Sequence, residues 1–593
     1  MTINEKLDQL RLLMKRDSID TYIIVKTDPH QSEYAPDYRN QVKYISGFTG
    51  SAGAVIVTMD HAGLWTDGRY YIQAAREMAG SQFVLHKDAE PGVKHFDEFA
   101  AEATAAGGTI GFNGNVFSMT QVRKLEKLIR PKHINIAADK DLIGEMWTDR
   151  PALSKSPVYI HKLEYCGVCR TEKIALLRDR MKKENVDFYV ISSTDDIAWL
   201  FNLRGADMPC KSFFESFAVI DYENAALFID EDKTLGIRDE MKRDGVELHD
   251  INEIQDYLRG YRARRENSVV LLNPDKTGYT LSLILNGCEI SECATDITSH
   301  MKAIKNDTEL ANLERVNIRD GAAMVRFLIW MKENAGKGID ECAAAEKLLE
   351  FRRMGENFVE PSFHTISAYM ANAAMMHYSA KQGACAEIKA EGALLVDNGG
   401  NYYDGSTDIT RTIVLGPVSD QFTRDFTLVL QSHIGMATAV FLYGAAGASL
   451  DMFARMPMWK HCMDYKCGTG HGIGFFLNIH EGPQNLSMRS NTTVFEEGMI
   501  VTNEPGVYRE GEYGIRTENT MRAVDYIENV FGRFMRFETF SYCPIDLDGI
   551  DVAMLTADEI EWLNGYHDTV YRKLAPVLSA EERGWLAEAA RKI

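Results

Sequence analysis

Proline and cysteine are scarce in this chain, with 15 and 10 among 593 residues, and no apolar run reaches membrane-spanning length. The cysteines (Cys166, Cys169, Cys210, Cys288, Cys293, Cys342, Cys385, Cys462, Cys467 and Cys543) are scattered and form no disulfide framework, which predicts a reducing compartment, the cytoplasm. Cys166 and Cys169 make a C-x-x-C, but no second pair follows at zinc-ribbon spacing. Basic charge is also short: 65 Lys and Arg face 86 Asp and Glu, a net charge of −21 that excludes a nucleic acid or an anionic membrane as partner. The start, MTINEKLDQL, has neither a basic lead nor an apolar signal core, so no export is expected. Several catalytic signatures are missing too. GTGHGIG satisfies neither a dinucleotide nor a P-loop pattern, HEGPQ is not H-E-x-x-H, and GFTGSAG lacks the glycine that a nucleophile elbow needs before Ser51.

What is present is an ordinary globular composition, 45% hydrophobic and 25% charged, long enough for three or four domains. An internal echo organises the first half. LRLLMKRDSIDTYIIVKTD, from Leu10, resembles LRDRMKKENVDFYVISSTD, from Leu177; each predicts a helix and then a buried strand, and each precedes an aromatic-rich segment, VKYISGF or IAWLFNL. Two related α/β domains are expected, over 1–153 and 154–304, divided in the loop-like TDRPALSKSP around Pro151. A third, α+β domain over 305–593 opens with a long amphipathic helix behind an Asn-Asp-Thr cap; a second long helix is expected from about Ser419 to Tyr443.

The last third carries five metal-type ligands: Asp397, Asp408, His471, Glu504 and Glu518. Four carboxylates and one imidazole suit two hard divalent cations sharing bridging carboxylates, since oxygen donors favour hard ions. In ALLVDNGGNYYDGSTDITRTIVLG an apolar run ends at Asp397, Asn-Gly-Gly predicts a turn, and a second β run begins near Thr407, so the two Asp residues can face each other from neighbouring strands. Glu504 ends the apolar run MIVTNE and is followed by Pro505-Gly506; alternation in GIRTENTM predicts Arg516, Glu518 and Thr520 on one face of a strand. Apolar strands with acidic ends are costly unless cations neutralise them.

The motifs VDNGG, DGSTDITRT, GTGHGIG, LNIHEGP, TNEPGVY and GIRTEN resemble those of the Xaa-Pro aminopeptidases, the aminopeptidase P branch of the pita-bread metallopeptidases. The likeness extends through DPHQSEY, SGFTGSAGA, LWTDGRYYIQAA, WTDRP and IAWLFNLRG in the first half, as in the long, three-domain, cytosolic form. It implies two creatinase-like domains before a pita-bread catalytic domain, and commonly a homodimer. It implies two divalent ions, Mn2+ with Co2+ or Zn2+ as alternatives. Asp397 and Glu504 would hold different ions, Asp408 and Glu518 would bridge both, and His471 would complete the first. A bridging hydroxide is then the nucleophile, and Glu504 or Glu518 shuttles the proton. His377, in MMHYSA, and His480, in LNIHEGP, match histidines that line the cleft and steady the oxyanion and the leaving proline nitrogen; Tyr508 and Arg516 match the proline pocket, and Arg69, in TDGRY, matches an arginine of the amino-terminal domain.

This chain departs from the pattern at Cys467, where relatives usually carry histidine four residues before the metal-binding one, and at His364, where proline is usual; the first alters the wall beside the proline ring. The expected activity is removal of the first residue from peptides with proline second. A prolidase, which cuts only Xaa-Pro dipeptides, is disfavoured because it resembles a two-domain chain. A non-catalytic pita-bread peptide binder is disfavoured because such relatives lose ligands and this chain keeps all five.

Overall fold

The computed structural model describes residues 1–264, 268–488 and 491–593. The chain divides into two compact units. The first comprises Met1–Ile160, Val168–Met208 and Phe213–Thr298 and holds two six-stranded sheets. In one, the strand order is Val84–Lys87, Ala62–Thr66, Ala54–Val57, Thr21–Val25, Thr109–Gly111, Asn135–Ala137; in the other it is Val246–His249, Ala225–Ile229, Ser216–Asp221, Phe188–Ile191, Val269–Leu272, Glu289–Glu292. Order and direction agree strand for strand: two antiparallel pairings lie in the middle of each sheet, and parallel pairings join the flanking strands. The echo is therefore structural, since Ile3–Arg16 leads into Thr21–Val25 as Arg170–Lys183 leads into Phe188–Ile191. Both leading strands are buried along their whole length, which explains their unbroken apolar runs.

The second unit comprises His161–Gly167, Pro209–Ser212 and Ser299–Ile593. Its first long helix, Asp307–Asn334, is closed at its start by a reciprocal cap: the Asn306 side chain accepts from the Glu309 N–H and Glu309 accepts from the Asn306 N–H, both at 3.0 Å. The second long helix runs Asp420–Ala437 from a Ser419 cap and ends six residues earlier than expected. Val440–Leu442 instead pairs with Gly532–Thr539, and its exposed–buried–exposed alternation suits a strand edge better than a helix. Phe422, Phe426, Val429 and Leu430 on the helix pack with Val325, Ile500 and Ile515 in one buried core.

Over this core lie the strands that carry the site. Ala393–Asn398 pairs antiparallel with Ile366–Tyr369 on one side and Ile409–Val414 on the other. Between Asn398 and Ile409 the chain does not make a simple turn; it runs out through two short strands, Gly400–Tyr402 and Gly405–Ser406. Gly399 permits this, because a Cβ there would stand 2.0 Å from the Thr407 carbonyl oxygen. Ile500–Asn503 pairs with Asn519–Asn529, and Gly506–Arg509 with Tyr513–Arg516.

Candidate active site

Register brings the acidic strand ends together. Asp397 is paired with Thr410 and Asn398 with Ile409, so Asp408, one residue before that strand, stands beside the end that carries Asp397. Asn503 pairs with Asn519, which puts Glu504 and Glu518 at the adjoining ends of one antiparallel pair. The expected single strand through Arg516, Glu518 and Thr520 is not formed. Arg516 ends a hairpin with Gly506, Asn519 starts a strand in another sheet, and Glu518 occupies the switch between them, its N–H held by the Thr410 carbonyl at 3.1 Å. His471 lies on Gly470–Gly472, where a Cβ on Gly470 would come within 1.9 Å of the Thr502 oxygen. Only glycine lets this strand lie against Ile500–Asn503.

The side chains converge accordingly. Asp408, His471 and Glu518 each offer a ligand atom within 4.8 Å of the others. His471 Nε2 is 3.6 Å from Asp408 and 3.5 Å from Glu504, while its Nδ1 is 2.9 Å from the Gly472 carbonyl. That carbonyl can only accept, so Nδ1 carries the proton and the Nε2 lone pair faces the carboxylates. A lone pair aimed at carboxylate oxygens is repulsive until a cation sits between them. Asp397 Oδ2 accepts from Arg516 at 2.5 Å, and its buried Oδ1 has no hydrogen-bond partner among the described residues. Burial, reinforced by the neighbouring carboxylates, pushes Asp408 and Glu518 far above the ordinary carboxylate range and, against the pull of Arg516, lifts Glu504 to about 7. The donor set, the orphaned oxygen and the crowding of like charge all fit divalent cations.

Around the carboxylates, Arg516 also donates to the Tyr508 hydroxyl at 2.7 Å and to Thr410 Oγ1 at 3.2 Å. Burial opposes the charge on Arg516, but Tyr508 and Asp397 outweigh it and secure the guanidinium. Tyr508 is itself pushed up by burial. The His480 ring meets His471 edge-on, centroids 4.2 Å apart. Cys467 is half-buried against the same core; burial, then the charge of Glu504, raises its thiol to about 12, so it is a neutral wall. His377 is half-buried in the turn that follows Met370–Ala374, a segment whose Ala373 oxygen lies against Gly514 of the strand bearing Arg516. Arg69 belongs to the first unit, where it binds Asp67 at 2.8 Å and approaches Glu33 at 3.6 Å.

Several residues of the site have no role in the sequence reading. Thr410 Oγ1 donates to Glu518 at 2.6 Å while accepting from Arg516. Arg411, fully buried, donates to the carbonyls of Thr410, Glu518, Cys543 and Pro544, to Asn519 and to the Tyr566 hydroxyl, all within 3.0 Å. His433, on the Asp420–Ala437 helix, braces the residues beside two ligands: Nδ1 is 3.1 Å from the Asn503 oxygen and Nε2 is 3.1 Å from Asn519 Nδ2. Burial lowers it to about 3, so it stays neutral.

Comparison with known proteins decides the family. Residues 311–525 match the Metallopeptidase family M24 and 533–593 the C-terminal region of that peptidase; 6–142 and 149–309 each match the Creatinase/Prolidase N-terminal domain. Aminopeptidase P2 of Arabidopsis thaliana is 36% identical over all of this chain and 89% of its own length. The chain belongs to the aminopeptidase P family of M24 metallopeptidases. A probable Xaa-Pro aminopeptidase P of Tuber melanosporum is 37% identical over 96% of this chain and 95% of its own. The crystal structure of the X-prolyl aminopeptidase of Caenorhabditis elegans, described as a cytosolic enzyme with a di-nuclear active site, superposes with a TM-score of 0.96 at 32% identity, covering 100% of both chains. The architecture is thus two creatinase-like α/β domains followed by a pita-bread metallopeptidase domain. No helix among the described residues is long and apolar enough to cross a membrane.

Proposed function

We propose that this chain is a cytoplasmic Xaa-Pro aminopeptidase that releases the first residue from peptides with proline second, with two divalent cations held by Asp397, Asp408, His471, Glu504 and Glu518. The observation that carries this is the convergence of buried Asp408 and Glu518 and half-buried Glu504 on an imidazole whose lone pair faces carboxylate oxygen, with the orphaned oxygen of buried Asp397 close by. His471, expected to complete the first ion, is instead assigned with Glu504 to the second because its Nε2 lies 3.5 Å from that carboxylate; Asp397 is assigned to the first, and Asp408 and Glu518 to both. Manganese is the proposed metal, and a homodimer the proposed assembly. The division at 153 and 304 is proposed as the domain plan.

When bound, such cations lower the pKa of water toward about 7 and offset charge on a developing oxyanion. The chain's own groups do the rest. Glu504 or Glu518 takes and returns a proton at its carboxylate. His377 and His480 are assigned to hydrogen-bond the scissile carbonyl and the leaving nitrogen. Tyr508, Arg516 and Cys467 form the proline wall, which matters because an imide nitrogen offers no N–H and fixes φ, so shape must select it. Arg69 is retained as a contact for the substrate.

The test is a comparison of Gly-Pro with Gly-Pro-Xaa and Arg-Pro-Pro peptides in the presence of manganese. Turnover of the tripeptides at rates well above the dipeptide is expected. Preference for the dipeptide makes the protein a prolidase; no release from any of them makes it a binder.

A further inference from the structure

Away from the carboxylate cage, a second cluster lies where the Glu341–Arg353 helix begins. Asp340 caps the helix, its Oδ1 accepting from the Ala343 N–H at 2.8 Å. Just before the helix the chain runs antiparallel to the segment that leads to Ile388. Ile388 N–H bonds the Ile339 oxygen at 2.8 Å, Asp340 bridges Glu387, and Glu341 N–H bonds the Ala386 oxygen at 3.1 Å. One residue into the helix stands Cys342, and one residue before Ala386 stands Cys385. Their Sγ atoms and an Asp340 carboxylate oxygen all lie within 4.8 Å of one another, and both thiols are free and half-buried.

We propose that Cys342 and Cys385 form a reversible dithiol modification site that closes to a disulfide in exchange with a small disulfide of the oxidised-glutathione class. The thiolate of Cys385 attacks one sulfur of the oxidant and expels a thiolate, leaving a mixed disulfide. Cys342, giving up its proton to solvent, then attacks the Cys385 sulfur and expels the second thiol. Two protein thiols are oxidised, and one disulfide is reduced to two thiols. The order follows from the surroundings of Cys342: burial, then its hydrogen bond to Cys385, raises it to about 12, so it serves as the resolving partner.

The location gives the bond a consequence. Next to Cys342, the fully buried Glu341 accepts from Tyr369 N–H, Asn372 Nδ2, the Tyr378 hydroxyl and Ala386 N–H at 2.6–3.0 Å. These bonds gather the segment that bears His377 onto the helix start. A disulfide would fasten the same junction covalently, closing a loop of about forty residues, and so restrict the unfolded chain.

The experiment treats the full chain, denied reductant, with excess oxidised glutathione, blocks remaining thiols, and maps peptides without reduction. A Cys342–Cys385 cross-link two hydrogen atoms lighter than the dithiol is expected, abolished by dithiothreitol and by Cys385→Ser, with an upward shift in the unfolding midpoint that the variant lacks. Separate glutathione adducts on the two thiols would overturn the proposal. So would both staying reduced while other cysteines react, or a tightly held thiophilic metal that blocks the cross-link. The readout is a mass, so it stands or fails independently of peptidase activity.

Discussion

Thr410 Oγ1 joins two charged groups of opposite role, donating to the Glu518 carboxylate at 2.6 Å and accepting from Arg516 at 3.2 Å. Its loss would leave a ligand carboxylate free to turn away from the cations, and outer partners of this kind typically govern metal affinity by about 10–100-fold. Thr410→Val, which keeps the shape, is therefore expected to weaken metal binding by that factor while the folded protein persists; competition with a graded chelator measures it, and unchanged affinity would remove Thr410 from the site. The carboxylates that crowd together at the site stood out in the sequence because each interrupts an apolar strand or turn, and His471 because glycines surround it. Their supports did not. Thr410 and Arg411 sit inside DITRT as plain β-strand polarity, and only the register reveals that they reach Glu518. His433 gave no signal beyond one imidazole on an apolar helix, a pattern that usually marks ordinary core packing.

At the scale of elements, the site depends on strands approaching closer than side chains allow. Gly470 faces the Thr502 oxygen at a distance no Cβ can tolerate, and Thr502 in turn accepts the His471 N–H at 3.0 Å and donates to Glu504 at 3.2 Å. Gly470→Ala is expected to push the two strands apart, costing about 1–3 kcal/mol and lowering metal affinity as well. Urea denaturation and metal titration together check this; wild-type values in both would show that the strands do not need their close approach. The two helix–strand echoes of the first half were readable because buried central strands are continuous apolar runs. The end of the second long helix was not, since Val440–Leu442 is fixed as a strand by its distant partner Gly532–Thr539. Glu518 was misplaced for the same reason: the period-2 pattern continues across a point where the chain changes sheets.

For the whole molecule, stability carries a sign set by buried neutral histidine. His567 accepts the Ile545 N–H at 3.1 Å, and burial, with the nearby charge of Arg411, lowers it from 6.5 to about 4. Below pH 6.5 the unfolded chain takes up a proton that the folded chain refuses, so this contribution is complete above pH 6.5 and disappears as pH falls toward about 4. At about 1.4 kcal/mol per pH unit it amounts to roughly 3 kcal/mol. Denaturation at pH 7 and pH 4.5 is expected to show a smaller acid loss in His567→Gln than in the parent chain; equal losses would place the acid sensitivity elsewhere. The central claim concerns the cations themselves. Protein stripped by a chelator and then given manganese stepwise, with Arg-Pro-Pro cleavage followed at each step, is expected to be inactive when metal-free and to regain full turnover as it approaches two ions per chain, with Asp408→Asn failing to recover. Full activity in the stripped protein, or recovery in Asp408→Asn equal to that of the parent, would contradict it.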